Sequence, residues 1–228
     1  FLDFKVATRA IFPRRSNYVV AIDGFINREE IMRNVGCLGT RKFISDIALV
    51  SSVKHSLKVN KHVCQIYPEA RYSLVGTSTA LPTSLGKLCK RMGYPVVALI
   101  SHGHHLRQPV WNLHPRKVRT TSEINQIITQ DEIKSLSVVE INDRIAQSFQ
   151  YNDYQYQLDH KLKITYPDRA KNLHLILYQC PHCKAEFKMK SDKNKIWCEA
   201  CNEAYEMDEY GSLHNITGET IFSHIPDW

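Results

Sequence analysis

The sequence predicts an α/β fold with a small metal-stabilised module at its C-terminal end. Short β-branched segments alternate with helical ones, an uninterrupted apolar segment follows them, and four cysteines cluster late in the 228 residues. Hydrophobic residues make up 43% and charged residues 23% of the chain. This composition is that of a globular protein and excludes a disordered or collagen-like chain. The longest apolar run, near 94–100, is too short to span a bilayer.

The predicted elements follow from hydrophobic periodicity and from residues that begin or end helices. In order, they are a strand at 17–23, a helix at 28–35, a helix from Asp46 to about Lys58, a strand at 62–67, a helix from 83 or 84 to Gly93 and a strand at 95–101. The last of these is apolar throughout, as is typical of a strand buried on both faces.

The segments that follow are less regular. Residues 111–130 mix β-branched and polar side chains and are predicted to be extended. Ser137 and Glu140 form a capping box, which predicts a helix reaching about residue 149. Residues 151–156 are polar and aromatic and are interpreted as a loop or a frayed helix end, and residues 168–177 as one more short helix.

Two C-x2-C pairs, separated by 14 residues, indicate a metal site. The four residues are Cys180, Cys183, Cys198 and Cys201. Four thiolates at tetrahedral corners suit a structural Zn²⁺, and the intervening segment has the pattern of a hairpin, so we predict a zinc ribbon. A pair of disulfides is the alternative. It requires an oxidising compartment, whereas the scattered Cys37, Cys64 and Cys89 favour a reducing one.

The formal net charge of +7 is unevenly distributed. Residues 1–122 contain 19 Lys or Arg and 6 Asp or Glu, whereas residues 123–228 contain 11 and 17. A basic front half favours anionic partners such as phosphorylated metabolites, an acidic membrane surface or nucleic acid. Nucleic acid is the least favoured of these, because aromatic side chains do not interleave the basic clusters as stacking platforms.

Three segments of the front half together resemble glycerolipid acyltransferases of the lysophosphatidic acid acyltransferase family. Residues 67–73 (YPEARYS) resemble the family motif F-P-E-G-T-R-S, residues 35–42 (VGCLGTRK) resemble G-x-I-F-I-x-R, and residues 95–99 are similar to the family's last strand motif. The resemblance covers roughly residues 1–110. The chain also looks like a bacterial subgroup with a C-terminal zinc ribbon and an ending similar to residues 218–228. It departs from the family at Gly39, Ala70, Arg71, Tyr72 and Ala98.

The resemblance implies an αβ-sandwich acyltransferase domain with a mostly parallel or mixed sheet. Asp3 matches the Asp of the family's H-x4-D signature, which puts the matching His three residues before Phe1. We therefore expect the present chain to lack its general base and to be inactive by itself. In such a site a His removes the proton of the attacking hydroxyl, and an Asp orients the imidazole.

The resemblance also implies the substrates and the remaining site residues. Glu69 shapes the acceptor site as a second catalytic position, and the acceptor phosphate is bound by Arg41, Lys42, Arg71 and Ser73. The acyl donor is acyl-CoA or acyl-carrier protein, and the acceptor is lysophosphatidic acid or a related lysophospholipid. We expect a cytoplasmic protein of phospholipid biosynthesis, peripheral on the inner face of the membrane, where the basic half meets anionic lipid.

We predict three regions: an acyltransferase-like domain at 1–150, a helical connector at 151–178 and the zinc ribbon at 179–228. A second hypothesis remains open at this point. The chain is then a zinc-ribbon binding protein, with a nucleic-acid or protein partner and a catalytically inactive acyltransferase-like domain.

Overall fold

The computed structural model describes residues 2–41, 46–69, 71 and 73–228. Its α-helices are α1 (Leu2–Ile11), α2 (Glu29–Asn34), α3 (Ile47–Lys58), α4 (Ser84–Met92), α5 (His104–Arg107), α6 (Glu132–Ser135), α7 (Val138–Ser148) and α8 (Asp153–Asp159). Short 3₁₀ helices cover Ile22–Phe25 and Leu173–Leu175. The described helices include none with the length and apolar character that crossing a bilayer requires.

The strands form separate parallel and antiparallel sheets, which makes the fold mixed α/β. They are β1 (Ser16–Ala21), β2 (Cys37–Thr40), β3 (Val63–Gln65), β4 (Val96–His102), β5 (Thr121–Ile128), β6 (Met189–Asp192), β7 (Lys195–Cys198), β8 (Ala204–Met207) and β9 (Leu213–Asn215). Within the described ranges the sheets have the orders β2-β1-β3, β4-β5 and β6-β7-β8-β9. The first is parallel and the last antiparallel.

Residues that act locally define the helix ends, as predicted. Asp46 caps α3 by accepting the Leu49 N–H at 3.0 Å. Gly93 ends α4 with a left-handed φ of 68°, which glycine adopts without a Cβ penalty. The N–H of Ser137 donates to the Glu140 carboxylate at 2.7 Å, and the N–H of Glu140 donates to the Ser137 hydroxyl at 3.2 Å. These contacts confirm the capping box ahead of α7.

Several elements differ from the sequence prediction. Residues 168–177, predicted to be one short helix, contain the 3₁₀ helix Leu173–Leu175 and no α-helix. Of residues 111–130, predicted to be extended, Thr121–Ile128 form the strand β5 and the rest form no strand. The strand predicted to be buried on both faces, β4, belongs to a two-stranded sheet, and Val97 is 55% exposed.

Residues 151–156 are interpreted from the sequence as a loop or a frayed helix end, whereas Asp153–Asp159 form the helix α8, whose N-terminus is capped by the Asn152 side chain. Tyr154 and Gln157 of this helix are buried, so packing rather than local hydrophobic periodicity stabilises it.

The chain divides into two compact units that do not follow the boundaries predicted at 150 and 178. The first unit comprises Phe1–Ala70, Ala80–Leu99 and Ile124–Ser148. The second unit comprises Arg71–Thr79, Ile100–Glu123 and Phe149–Trp228.

The cysteine-rich end belongs to the second unit because it shares a hydrophobic core with earlier residues. Cys180 and Cys198 lie in the same buried cluster as Leu106, Trp111 and Tyr154. The four-stranded antiparallel sheet contributes Ile196, Tyr205 and Leu213 to this cluster. A ribbon of this size has too little apolar surface for a core of its own, and here it completes a larger one.

Candidate functional site

The four clustered cysteines come together in the second unit, as the spacing predicts. Their sulfur atoms all lie within 4.8 Å of one another. The Sγ atoms of Cys180 and Cys201 are 3.7 Å apart, and those of Cys183 and Cys198 are also 3.7 Å apart. Each cysteine is a free thiol at these distances, which are far longer than the roughly 2.05 Å of a disulfide.

The arrangement fits a tetrahedral metal. A Zn–S bond of about 2.3 Å places sulfurs at tetrahedral corners about 3.8 Å apart. The two closest pairs match this separation. The cluster can therefore bind a metal ion through four soft ligands, with one pair supplied from the segment before β6 and the other from the end of β7.

The two cysteine pairs adopt the same backbone turn. The Lys184 N–H donates to the Cys180 carbonyl at 3.1 Å, and the Asn202 N–H donates to the Cys198 carbonyl at 2.9 Å. Lys184 and Asn202 both have a positive φ of 61°. This conformation turns the chain back after each pair, and the repeated geometry accounts for the convergence of the four sulfurs.

A backbone hydrogen bond favours the thiolate form of one cysteine of the cluster, Cys183. A hydrogen bond from the Ala185 backbone lowers the pKa of the Cys183 thiol to about 7. Burial raises the pKa of Cys180, although it accepts backbone hydrogen bonds from Cys183 and His182. Such N–H···S contacts favour thiolates, which are the form that ligates metal.

The residues predicted for the acyltransferase site are divided between the two units. Arg41 and Glu69 belong to the first unit, as does Asp3 in the first turn of α1. Arg41 directly follows β2, and Glu69 follows β3 after a short turn. Both strands flank β1 in parallel, so the two residues leave the sheet from the same, carboxyl, edge.

The charge of Asp3 acts on the segment that follows β3. Burial, and secondly the charge of Asp3, raise the pKa of the Tyr67 phenol to about 12. The helix that carries Asp3 is anchored on β1, because the Phe4 and Tyr18 rings are 4.3 Å apart and Thr8 hydrogen-bonds the Tyr18 hydroxyl at 2.8 Å. Helix α1 thus packs on β1, which pairs with β3, the strand that leads to the 67–73 segment.

Arg41 has a neighbour that the sequence identified only as a helix cap. The Asp46 carboxylate accepts the Arg41 backbone N–H at 3.1 Å in addition to that of Leu49. These backbone hydrogen bonds, with the charge of Arg41 as a smaller cause, lower the pKa of Asp46. Arg41 and Asp46 are close in the sequence, and this short separation is the signal from which the contact could have been predicted.

Three predicted residues remain, Lys42, Arg71 and Ser73. Lys42 is outside the described residues. Arg71 is exposed in the second unit. Ser73, also in that unit, closes a local turn: its hydroxyl accepts the Gly76 N–H at 2.9 Å and donates to the Thr77 carbonyl at 3.3 Å.

Comparison with known proteins adds no family to these observations. Neither the protein-family models, nor the curated proteins, nor the solved structures contain a match to this chain.

Proposed function

We propose that this protein is an acyltransferase that moves a fatty acyl group from acyl-CoA or acyl-carrier protein to lysophosphatidic acid or a related lysophospholipid. The observation that carries the proposal is that helix α1, which contains Asp3, packs on β1 of the parallel sheet, while the neighbouring strand β3 leads to Tyr67, the first residue of the segment that resembles the acceptor motif. Arg41 and Glu69 add a cation and a carboxylate at the carboxyl edge of the same parallel sheet. Parallel α/β sheets bind their ligands at this edge.

The proposed reaction needs a base, an orienting carboxylate and cations. The acceptor hydroxyl gives its proton to a general base, and its oxygen attacks the thioester carbonyl carbon. A C–O bond forms, the C–S bond breaks, and the departing thiol receives the proton. Asp3 orients the base and stabilises its protonated form, the role of an Asp beside a catalytic His.

The acceptor phosphate is assigned to the cationic residues. Arg41 offers a guanidinium that can bind phosphate through two hydrogen bonds, and Lys42 adds a point charge. Arg71 and Ser73, which the family motif also implies, belong to the second unit and are not assigned to this group. In this proposal Glu69 orients one of the cations of the first unit. Asp46 stabilises the backbone of Arg41 and competes weakly with phosphate for its charge.

The metal in this proposal is a structural Zn²⁺ bound by the four cysteines. A closed four-thiolate site leaves no open position for substrate, which is the property that separates structural from catalytic zinc. The bound Zn²⁺ contributes to the folding free energy of the second unit, because the core of this unit includes Cys180 and Cys198. We place the protein in the cytoplasm, peripheral on the inner membrane face, where the lysophospholipid acceptor is found.

An acyl-transfer assay on the full-length protein tests the proposal. Release of the donor thiol is measured with acyl-CoA and a panel of lysophospholipids dispersed in detergent. We expect Arg41→Ala to raise KM for phosphate-monoester acceptors about tenfold to hundredfold, since a lost charged hydrogen bond costs about 1–3 kcal/mol. Arg9→Ala is the matched control, because Arg9 is an exposed arginine in the last turn of α1. Absence of transfer to every acceptor would refute the proposal.

One observation favours the second candidate, nucleic-acid binding by the ribbon. Phe187 is 76% exposed and stacks on Tyr178 with ring centroids 5.2 Å apart. Lys188 directly follows Phe187, and Lys184 precedes it with Ala185 and Glu186 between them. A base can stack on such a ring, with lysines near its phosphates. Binding of a single-stranded oligonucleotide that is lost in Phe187→Ser would support this candidate.

A further inference from the structure

Residues 107–119 form a loop of the second unit, and the buried residues of this loop hold it against the core. Trp111, Arg116 and Val118 are each less than 10% exposed. The Arg116 N–H donates to the Arg107 carbonyl at 2.7 Å, and the Arg107 guanidinium donates to the Val118 carbonyl at 3.3 Å. These contacts close the base of the loop, which we call the basic loop.

Hydrogen bonds also fix the outer part of the basic loop. The Gln108 side chain donates to the Leu113 carbonyl at 2.7 Å. The Asn112 side chain donates to the Asp168 carbonyl at 2.8 Å, and its oxygen accepts the His114 N–H at 3.3 Å. The loop therefore presents its exposed side chains from a fixed backbone, so little conformational entropy is lost when they contact a partner.

The exposed side chains of the basic loop include apolar and cationic ones, together with Gln108, His114 and Pro115. Leu113 is 69% exposed and Val110 is 38% exposed. Lys117 and Arg119 are exposed further along the same loop. The sequence contains no Asp or Glu between Glu69 and Glu123, so no acidic residue of this stretch offsets their charge.

Aliphatic side chains next to cations suit the surface of an anionic bilayer. The aliphatic groups enter the boundary between headgroups and acyl chains, and Lys and Arg keep their charges at the level of the lipid phosphates. A nucleic acid fits less well, because Leu113 and Val110 offer no ring for stacking and the His114 ring already stacks on Tyr166 at 4.6 Å.

We propose that the basic loop is a docking surface for an anionic lipid bilayer, with Leu113 and Val110 inserted and Lys117 and Arg119 against the phosphates. This inference rests on the proposed function, which identifies the surface as the membrane that contains the acceptor. It names the part of the second unit that contacts this membrane.

Vesicle co-sedimentation of the full-length protein tests this inference. Vesicles of phosphatidylglycerol are compared with vesicles of phosphatidylcholine at low and high salt. We expect binding to phosphatidylglycerol that weakens as salt rises, and about 30-fold weaker binding for K117Q/R119Q, because each basic residue near an anionic surface contributes about fivefold. Leu113→Ser should weaken binding about tenfold, in proportion to the apolar area withdrawn from lipid.

Matched variants in the first unit serve as controls. Val139 is 67% exposed, so Val139→Ser is the control for Leu113→Ser. Lys54 and Lys58 are exposed on α3, so K54Q/K58Q is the control for the charge change. Circular dichroism and thermal unfolding establish that each variant is folded.

The outcomes separate the docking surface from the enzyme activity. Equal losses in the control and loop variants, equal binding to both vesicle types, or binding of an oligonucleotide in place of vesicles would overturn the inference. Acyl transfer to an acceptor in detergent micelles should be unchanged by K117Q/R119Q. An inactive wild-type protein that still docks through the loop would refute the proposed function and leave the docking surface standing.

Discussion

The side-chain amide of Asn142 on α7 is hydrogen-bonded to the backbone of Gly86 on α4, with its oxygen accepting the Gly86 N–H at 2.8 Å. The nitrogen of the same amide donates to the Thr83 carbonyl at 2.9 Å. Asn142 therefore contacts both the residue before α4 and its first turn. The two helices approach so closely that a Cβ on Gly86 would lie 2.5 Å from the Asn142 oxygen and 2.8 Å from the Val138 carbonyl.

The first prediction concerns this close approach. Gly86→Ala should destabilise the first unit by about 1–3 kcal/mol, because the added methyl group forces α4 and α7 apart. The gain in helix propensity offsets part of this cost. Urea unfolding followed by circular dichroism measures the effect. In contrast, Gly218→Ala should leave stability nearly unchanged, since its Cβ would meet nothing nearer than 3.6 Å.

The second prediction concerns the metal. Purified protein should contain about one zinc per chain, and Cys198→Ser should lose it, because three thiolates bind zinc less tightly than four. The loss should unfold the second unit as a whole, since Cys198 shares a core with Trp111 and Tyr154. Trp111, Trp197 and Trp228 all belong to this unit, so tryptophan fluorescence reports on it alone.

The same experiment separates the units. Hydrogen exchange of β1 and β2 amides should remain slow in Cys198→Ser, because these strands belong to the first unit. Cys89→Ser, which alters a thiol outside the cluster, should keep its zinc. Protection lost equally in both units would contradict this prediction.

Local signals allowed much of the fold to be predicted. Asp46, Gly93 and the pair Ser137 and Glu140 act within one helical turn, so the sequence alone contains the information for these helix ends. The cysteine cluster could be predicted for a related reason. A C-x2-C pair places two sulfurs near each other whatever the rest of the chain does.

The remaining features depend on contacts between distant residues. Tyr154 and Gln157 lie on a helix whose sequence is polar and aromatic, and that helix is stable because the core of the second unit buries both side chains. The placement of α1 and of the segment after β3 on one sheet requires the pairing of β1 with β3, which no single segment encodes. Parallel pairing of this kind is set by the whole sheet.

The third prediction concerns pH. Burial, and secondly the charge of Arg116, lower the pKa of His105 from 6.5 to about 4. The folded state thus binds fewer protons than the unfolded state between these values. The free energy of unfolding is therefore highest above pH 6.5 with respect to this histidine. It falls by about 3 kcal/mol as pH falls to about 4. The free energy of unfolding, measured by urea titration at several pH values, should show this slope.

His105→Gln should reduce the slope between pH 6.5 and 4. An NMR titration of the wild-type imidazole gives a second readout that does not depend on the variant folding. A His105 resonance that titrates near 6.5 would contradict the prediction.

The fourth prediction concerns Asp46. Asp46→Ala should destabilise the first unit by about 1 kcal/mol, the usual cost of losing an N-cap. Asp46→Asn keeps a capping oxygen for the Leu49 N–H but removes the charge beside Arg41. Under the proposed function, this variant should lower KM for phosphate-bearing acceptors severalfold with little change in stability. An increase in KM would indicate that Asp46 positions Arg41 rather than competing for it.

The last prediction concerns Asp3. In the full-length protein, Asp3→Asn should lower kcat about 10³- to 10⁴-fold, because the amide cannot stabilise a protonated base as the carboxylate does. Stability should change little, since the Asp3 side chain is exposed. Asp23→Asn is the matched control, because Asp23 is an exposed carboxylate of the same unit.

Tyr67→Phe tests the neighbouring phenol, whose pKa of about 12 keeps it neutral, and should retain most of the activity. Acyl transfer at saturating acceptor measures all three variants. Activity of Asp3→Asn equal to that of Asp23→Asn would remove Asp3 from the mechanism and with it the main support for an acyltransferase.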